Sequence, residues 1–380
     1  MAHKLSVAYY GYVFEASGYG HAARAYIRAM HDAGITLSVA ELGENPPQQV
    51  RDEFVRSLIG RRIDADFRIC HGVPPDWAHL AASLPNVIGM TVSETDRMPP
   101  QWKDILNHGV EVWLPCEFNV VAFREKLERP VFKLPQPYFP LKVTGTPLPV
   151  ENFLGVSDDD YVFFDVFHWQ NRKNPIGLIE SYLRAFTDCG DTVLIIKTHM
   201  GAAGVARRVI ESVRRRVCSD ARIEVHAKLW DDDHLDALYQ RGNCYVSLHR
   251  GEGWCYPLFE AACRGIPLIA TGYSGPMEYL NPLHHQLVGY ELGPVRQRYP
   301  YYSAQMRWAE PDLDHAVELM RRVYEHRQYS QEQALVESES ICQTFSLGRL
   351  GTMIQGRLLT LLRTSSESVM RRQQEYGCVD

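Results

Sequence analysis

The stretch that decides the fold reads CYVSLHRGEGWCYPLFEAACRGIPLIAT and runs from Cys244 to Thr271. It opens with an apolar run of strand length, continues through a glycine loop, and has helical spacing from Pro257 to Gly265. A second apolar run, residues 267–270, then follows. A strand, a helix and another strand in this order are typical of an α/β unit with parallel strands.

The same alternation extends through the rest of the chain. Further strands are predicted at residues 4–10, 35–42, 67–70, 161–167, 192–197 and 222–227. Helices are predicted at residues 21–31, 312–326, 331–344 and 347–362, with a polar tail after the last one. These patterns predict an α/β protein made of doubly wound, Rossmann-like units.

A proline-rich segment divides the chain. Five prolines lie between Pro135 and Pro149, where they prevent a regular helix or a central strand. A chain of 380 residues is also too long for one ordinary core. We therefore expect an N-terminal domain over residues 1–140, a second domain over 141–345, and a C-terminal helix and tail over 346–380.

Composition narrows the class of protein. Hydrophobic residues make up 45% and charged residues 23% of the chain, which is typical of globular proteins, and the net charge of −6 gives no general attraction to nucleic acid. Nine cysteines without a C-x-x-C pair indicate reduced thiols. With no signal peptide and no apolar run long enough to span a bilayer, we expect a cytoplasmic protein, and peripheral contact with the inner membrane face stays open.

The glycine loop is a candidate anion site. Residues 253–256 precede a helix N-terminus, where backbone N–H groups can bind a pyrophosphate. Glu252 lies on this loop and Glu260 on the first helical turn, and carboxylates accept hydrogen bonds from pairs of hydroxyl groups. One carboxylate could thus face a sugar and the other a ribose. Considered alone, the two acids also fit a loop acid and a helix-start acid.

The stretch from Ser247 to Thr271 resembles the signature of the GT-B-fold retaining glycosyltransferases of family 4. That family has two glutamates with seven residues between them, then Glu-Ala, Gly-x-Pro and a strand ending in Ala-Thr, and Glu252 and Glu260 fall on the pair. Cys255 stands where the family usually has a glycine. The resemblance extends to Arg172-Lys-Asn-Pro175, where the family has the cations that hold the donor diphosphate. By themselves, Arg172 and Lys173 also fit a solvated helix start.

The resemblance implies two Rossmann-like domains facing across a cleft, with the last helix returning to the first domain. It implies a retaining hexosyltransferase that uses a nucleotide sugar as co-substrate, a glycan as the default acceptor, and neither another cofactor nor a metal. The implied catalytic residues are Glu252, Arg172 and Lys173. The implied donor-binding residues are Gly18, Tyr19, Gly20, Leu229, Gly253, Trp254, Cys255, Tyr256, Leu258 and Glu260. The donor base and sugar, the linkage and the oligomeric state stay open.

The glycines of the first domain carry an alternative function. Gly18-Tyr-Gly20 lies between a strand and a helix beginning near His21, and with Glu41 at the next strand end it also fits a dinucleotide-binding fingerprint. An NAD-type oxidoreductase is therefore the alternative, although seven residues between strand and glycine suit a glycosyltransferase better. A protein that binds nucleotide sugars without turnover is a further alternative.

Four further sequence features each allow two interpretations, one functional and one structural. His71 and Glu94 follow strands and fit either a sugar or acceptor contact or a structural role. The tyrosines between Tyr299 and Tyr302 fit either stacking on a sugar or packing within their own domain. The sequence Asp231-Asp-Asp-His234 superficially resembles metal ligands, but it fits an acid-rich helix start, so we expect no metal there.

Overall fold

The computed structural model describes residues 4–43, 50–145, 148–187, 190–297 and 299–376. The chain forms two compact units. Unit 1 comprises Met1–Val92, Met98–Phe139 and Thr344–Asp380, and unit 2 comprises Ser93–Arg97 and Pro140–Gln343. Each unit contains a six-stranded parallel sheet with helices, which confirms the predicted α/β class with two Rossmann-like domains.

The sheet of unit 1 has the strand order β2-β1-β3-β4-β5-β6. Its elements, before the C-terminal helix, are β1 Ser6–Gly11, α1 Gly18–Asp32, β2 Thr36–Glu41, α2 Glu53–Arg56, β3 Phe67–His71, α3 Pro74–Ser83, β4 Val87–Met90, α4 Lys103–Asn107, β5 Glu111–Leu114, α5 Glu117–Arg124 and β6 Val131–Lys133.

The sheet of unit 2 has the strand order β12-β11-β10-β7-β8-β9. The elements that follow β6 are α6 Val150–Leu154, β7 Tyr161–Val166, α7 Pro175–Ala185, β8 Thr192–Lys197, α8 Ala203–Val217, β9 Arg222–His226, α9 Asp232–Arg241, β10 Cys244–Ser247, α10 Tyr256–Cys263, β11 Leu268–Thr271, β12 Gln286–Val288, β13 Tyr290–Pro294, β14 Arg307–Pro311, α11 Leu313–Glu325, α12 Arg327–Thr344 and α13 Leu347–Tyr376. Helix α13 packs on α1 and completes unit 1.

The central strands of the sheet in unit 2 are mostly apolar and buried because helices cover the sheet. Phe163, Leu194 and Val246 are fully buried in one core cluster that also contains side chains of α7 and α11. Parallel strands covered on both faces need such continuous apolar runs rather than an alternating pattern. This is why these strands were visible in the sequence.

Strand order determines where each sheet can bind a ligand. In unit 2 the order reverses between β7 and β10, and in unit 1 between β1 and β3. In open parallel sheets, ligands bind beyond the carboxyl ends of the strands at such a switch point. The loops after β7 and β10 therefore define the candidate site of unit 2.

Three local features differ from expectation. Helix α1 begins at Gly18 rather than near His21, because the Ser17 side chain caps it by accepting from the Gly20 N–H. Helix α13 continues to Tyr376 where a polar tail was expected, since residues 357–376 contain neither glycine nor proline. Strands β13 and β14 form an antiparallel pair that was not predicted.

None of the described helices is both long enough and apolar enough to cross a bilayer.

A buried ion pair attaches α13 to the sheet of unit 1. The Glu111 carboxylate on β5 is fully buried and accepts from Arg357 Nε at 2.9 Å and from the Trp113 indole at 2.8 Å. A second Arg357 nitrogen contacts the other carboxylate oxygen. This bidentate pair is the charged link between α13 and β5.

Replacement of Arg357 by methionine is expected to destabilise the protein by about 3 kcal/mol, because it leaves the Glu111 carboxylate buried without its cation. Urea unfolding followed by circular dichroism measures the change. Arg349→Met, an exposed position on the same helix, is the matched control. Equal unfolding midpoints for the two variants would contradict the role of this ion pair.

Candidate functional site

Three charged side chains meet at the switch point of unit 2. Arg172 and Lys173 lie in a short 3-10 helix between β7 and α7, and Glu252 lies on the loop after β10. Arg172 Nη1 is 2.8 Å and Lys173 Nζ is 2.5 Å from the same oxygen, Glu252 Oε1. The predicted catalytic residues thus lie in contact, although they are about eighty positions apart in the chain.

The loop that carries the two cations is held from both sides. Arg172 accepts from the Arg250 N–H at 2.8 Å, and its own N–H donates to the Tyr299 hydroxyl at 3.1 Å. Asn174 has left-handed backbone angles and caps α7 by accepting from the Gly177 N–H, as the predicted N-cap requires. These contacts hold Arg172 and Lys173 in place before any ligand arrives.

The loop that carries Glu252 packs backbone against backbone. The Glu252 N–H donates to Ser274 Oγ at 2.9 Å, and the Glu252 carbonyl accepts from the Gly275 N–H at 2.9 Å. A Cβ atom on Gly275 would lie 2.3 Å from the Gly253 carbonyl oxygen, so only glycine permits this approach. The carboxylate of Glu252 is consequently directed at the cations.

Helix α10 begins after a strained residue. Cys255 is its N-cap, with φ 71° and ψ 75°, in a region that disfavours residues with a Cβ. The sequence resemblance expects a glycine at this position. The turn therefore keeps the glycine-like backbone at some cost in strain, a feature that clusters at functional sites.

The electrostatics of the site favour fully charged groups. Burial by itself would raise the pKa of the Glu252 carboxyl, but Arg172 and Lys173 reverse this effect and hold it at about 2. Burial opposes the charge of Lys173 as well, yet Glu252 raises the pKa of its ammonium group. Near neutral pH the site therefore presents two cations and a carboxylate in a partly water-excluded position.

Glu94 adds a second carboxylate to Arg172. It belongs to unit 2 rather than to the first domain, and its Oε1 lies 3.4 Å from Arg172 Nη2. Tyr302 contacts the other oxygen of this carboxylate through its hydroxyl. Two tyrosines after β13 thus pack within unit 2. Tyr299 contacts the Arg172 backbone, and Tyr302 contacts the Glu94 carboxylate that faces Arg172.

Glu260 lies at the start of the second turn of α10, one position later than expected because the helix begins at Tyr256, and it has an internal partner. Its Oε1 is 2.6 Å from Arg264 Nε, and Arg264 Nη1 is in turn 2.6 Å from Asp236 Oδ1. The Glu260 side chain is 6% exposed. A ribose at this place would meet a carboxylate that is already oriented by Arg264.

The other predicted donor-binding residues of unit 2 differ in access. Trp254, Cys255, Tyr256 and Leu258 are buried, and the Tyr279 hydroxyl donates to the carbonyls of Trp254 and Cys255. These residues can offer a ligand their backbone more readily than their side chains. Leu229 is 58% exposed between β9 and α9.

In unit 1 the predicted residues gather around the switch point of its own sheet. A Cβ on Gly20 would lie 2.1 Å from the Glu15 carbonyl oxygen, so this glycine permits the tight turn before α1. Gly18 has open space around its Cα. The Tyr19 ring lies 5.4 Å from the His71 ring.

His71 is almost completely buried. Its Nδ1 lies 2.6 Å from the Tyr9 hydroxyl, and the Tyr26 ring lies 5.6 Å from its ring. Burial lowers the pKa of His71 to about 3, so the imidazole is neutral at physiological pH. This environment is that of a core histidine at the end of β3.

The acid-rich segment before α9 serves as a helix start. Asp231 caps α9 by accepting from the His234 N–H, and its carboxylate also lies 2.6 Å from His234 Nδ1. Asp232 and Asp233 accept from the N–H groups of Lys142 and Thr144. All three carboxylates thus have protein partners.

The sequence did not predict that Asp165 is buried or that Lys197 lies in a partly buried place beside Trp230. Asp165, at the end of β7, is 2% exposed, and burial raises its pKa to about 7. Lys197 Nζ lies 5.2 Å from the centre of the Trp230 ring, and burial lowers its pKa to about 8. A single acid in the apolar run of residues 161–167 was the signal for Asp165.

Comparison with solved structures found similar folds across nearly the whole chain. Sucrose-phosphate synthase from Thermosynechococcus elongatus has 13% identity and a TM-score of 0.67, covering 95% of this chain and 100% of that chain. The chain has the GT-B fold. Anabaena HepE in complex with UDP and glucose has 10% identity and a TM-score of 0.71, covering 94% and 100%. A structure from E. coli bound with UDP-2-fluoro glucose has 11% identity and a TM-score of 0.64, covering 93% and 98%.

No protein-family model and no curated protein sequence matches the chain. At identities of 10–13%, the structural neighbours establish the fold alone.

Asp165→Asn is expected to stabilise the protein increasingly between pH 4 and pH 8. The folded state keeps its Asp165 proton up to about pH 7, whereas the unfolded chain loses it near the ordinary value of 3.8, so stability falls as pH rises through this window. The asparagine removes this loss, which amounts to roughly 2–4 kcal/mol at pH 8. Its side-chain oxygen can still accept from the Val166 N–H.

Urea unfolding at pH 4 and pH 8 measures this effect, with the exposed Asp159→Asn in the same unit as control. A gain that is equal at both pH values would mean that Asp165 is not held in its protonated form.

Proposed function

We propose that this protein is a retaining glycosyltransferase that transfers a hexose from a nucleotide diphosphate sugar to a carbohydrate acceptor, without a metal. One observation carries the proposal. Arg172, Lys173 and Glu252 converge beyond the carboxyl ends of β7 and β10, where the strand order of unit 2 reverses. This is the ligand-binding position of an open parallel sheet.

The two cations suit the departure of a nucleoside diphosphate. As the bond to the sugar breaks, negative charge grows on the leaving phosphate oxygen. Preorganised cations and the N-terminus of α10 can stabilise that charge without reorganisation at the moment of reaction. The protein contacts of Arg172 and Lys173 supply this preorganisation.

Glu252 suits the sugar. Its described ion pairs both use Oε1, so Oε2 can accept hydrogen bonds from sugar hydroxyl groups. The pKa of about 2 keeps the carboxylate ionised at any physiological pH, so it acts as an acceptor and not as a general acid. In the proposed retaining reaction, the departing phosphate takes the proton of an acceptor hydroxyl that attacks from the same face.

The structural neighbours support a nucleotide sugar as donor. HepE was solved with UDP and glucose, and the E. coli structure with UDP-2-fluoro glucose. Under the proposal, Gly253 to Tyr256 bind the diphosphate through their backbone, Glu260 binds the ribose, and Leu229 contacts the base. Gly18 to Gly20 stay predicted donor-binding residues.

Glu252 and Glu260 are expected to affect different steps. Glu252→Gln should lower the transfer rate at least about 100-fold without weakening nucleoside diphosphate binding, because it replaces the carboxylate that faces the sugar by a neutral and weaker acceptor. Glu260→Gln should instead weaken nucleotide binding about tenfold. Thermal shifts with UDP, GDP, ADP and their sugar conjugates, followed by transfer assays without added metal, measure both effects.

Glu332→Gln, an exposed position on α12, is the matched control. Stabilisation by a nicotinamide dinucleotide alone would favour the oxidoreductase alternative. Binding of a nucleotide sugar without turnover under any acceptor condition would favour a protein that only binds it. Full transfer activity in both variants would disprove the assignment of the site.

A further inference from the structure

Residues 93–97 form a short segment that is packed into unit 2. Asp96 and Arg307 exchange backbone and side-chain contacts, with Arg307 Nε 2.9 Å from Asp96 Oδ2 and the Asp96 N–H donating to the Arg307 carbonyl. A Cβ on Gly251 would lie 1.9 Å from the Glu94 carbonyl oxygen. The backbone of Glu94 therefore lies directly against the loop that carries Glu252.

The Glu94 side chain is held between a tyrosine and a cation. The Tyr302 hydroxyl donates to Glu94 Oε2 and accepts from the Glu94 N–H at 3.1 Å. The other oxygen, Oε1, faces Arg172 Nη2 at 3.4 Å. Tyr302 lies on the loop between β13 and β14, so this hairpin fixes where the carboxylate of Glu94 can go.

The charges of this cluster balance. Arg172 and Lys173 contribute two positive charges, and Glu252 and Glu94 contribute two negative charges. Tight diphosphate binding needs an excess of cations or donors. Glu252 contacts both cations at 2.8 and 2.5 Å, whereas Glu94 makes a single contact at 3.4 Å. The Glu94 contact is the weaker one and is the easier to exchange for a phosphate oxygen.

We propose that Glu94 is an internal anion on Arg172 that the diphosphate of a donor must displace, and that Tyr302 holds it in that place. This proposal rests on the proposed function. Phosphate oxygens take over the ion-pair contact with Arg172 that Glu94 gives up, and no covalent bond changes. Glu94 and Tyr302 therefore set the affinity for the donor while leaving the sugar-contacting Glu252 in position.

The proposal predicts a specific pH dependence. Burial raises the pKa of Glu94, while Arg172 opposes this rise. The charged and titratable groups around it are Arg172, Lys173, Glu252 and Tyr302, with Asp96 and Arg97 on its own segment. As pH falls through the raised pKa, Glu94 becomes neutral and the site gains one net positive charge. Competition for Arg172 then disappears.

The test measures binding of inorganic pyrophosphate by isothermal titration calorimetry to the full chain. Glu94→Gln is expected to tighten binding about tenfold at pH 8, because it removes the anion that competes for Arg172. Tyr302→Phe, which releases Glu94 without removing its charge, should tighten binding about threefold. Glu291→Gln, an exposed acid on β13 of the same hairpin, should leave the affinity unchanged.

The same titrations repeated at stepwise lower pH provide the second readout. The ratio of the wild-type and Glu94→Gln dissociation constants should fall towards one as the pH is lowered, because wild-type Glu94 is progressively protonated. The protonation of pyrophosphate and of Asp165 cancels in this ratio, since both are common to the two proteins. A merely structural role of Glu94 would not produce this convergence.

Unchanged or weaker pyrophosphate binding by Glu94→Gln at pH 8 would overturn the proposal, as would a ratio independent of pH. Parallel titrations with UDP and GDP separate the two hypotheses. Tighter pyrophosphate binding by the variant without binding of any nucleoside diphosphate would support the internal anion and refute the donor. If nucleoside diphosphates bind and Glu94→Gln does not change their affinity, the donor would be supported and the internal anion refuted.

Discussion

Glu252 contacts both Arg172 and Lys173 beyond the carboxyl ends of β10 and β7. These two strands are neighbours because the strand order of unit 2 reverses between them. Burial disfavours each of the three charges, and together they offset one another. Removing one group would leave the others buried without a counter-charge, so the loops after β7 and β10 depend on each other. The loop geometry around the site follows from this mutual dependence.

The close packing of those loops explains why small residues recur around the charges. Gly251 allows the backbone of Glu94 to approach, and Gly275 allows the loop of Glu252 to do so. Each contact is between main chains, where even a methyl group would collide. The backbone strain lies at Cys255, which adopts left-handed backbone angles at the start of α10 although it carries a side chain.

The neighbouring groups connect this site with the rest of unit 2. Tyr299 and Tyr302 reach it from the β13–β14 hairpin, and Asp165 lies at the end of β7 with its pKa raised by burial. None of these residues belongs to the motif that identifies the cations and the glutamates. Tyr299 nevertheless accepts from the Arg172 N–H, and Tyr302 holds the carboxylate of Glu94 that faces Arg172.

The sequence by itself determined the α/β class, the apolar strands around residues 161–167 and 244–248, and the position of Glu252 before the start of α10 and of Glu260 after it. It could do so because a covered parallel sheet needs continuous apolar runs, and because a helix start with Pro257 is a local signal. The role predicted for Arg172 and Lys173 came from the resemblance to family 4, because their place before a capped helix also fits a solvated helix start. Only the tertiary structure decided that Glu94 lies against Arg172, that Tyr302 holds it, and that Arg264 joins Asp236 to the first turns of α10. These facts depend on distances between residues far apart in the chain, and local patterns of polarity carry no information about such distances.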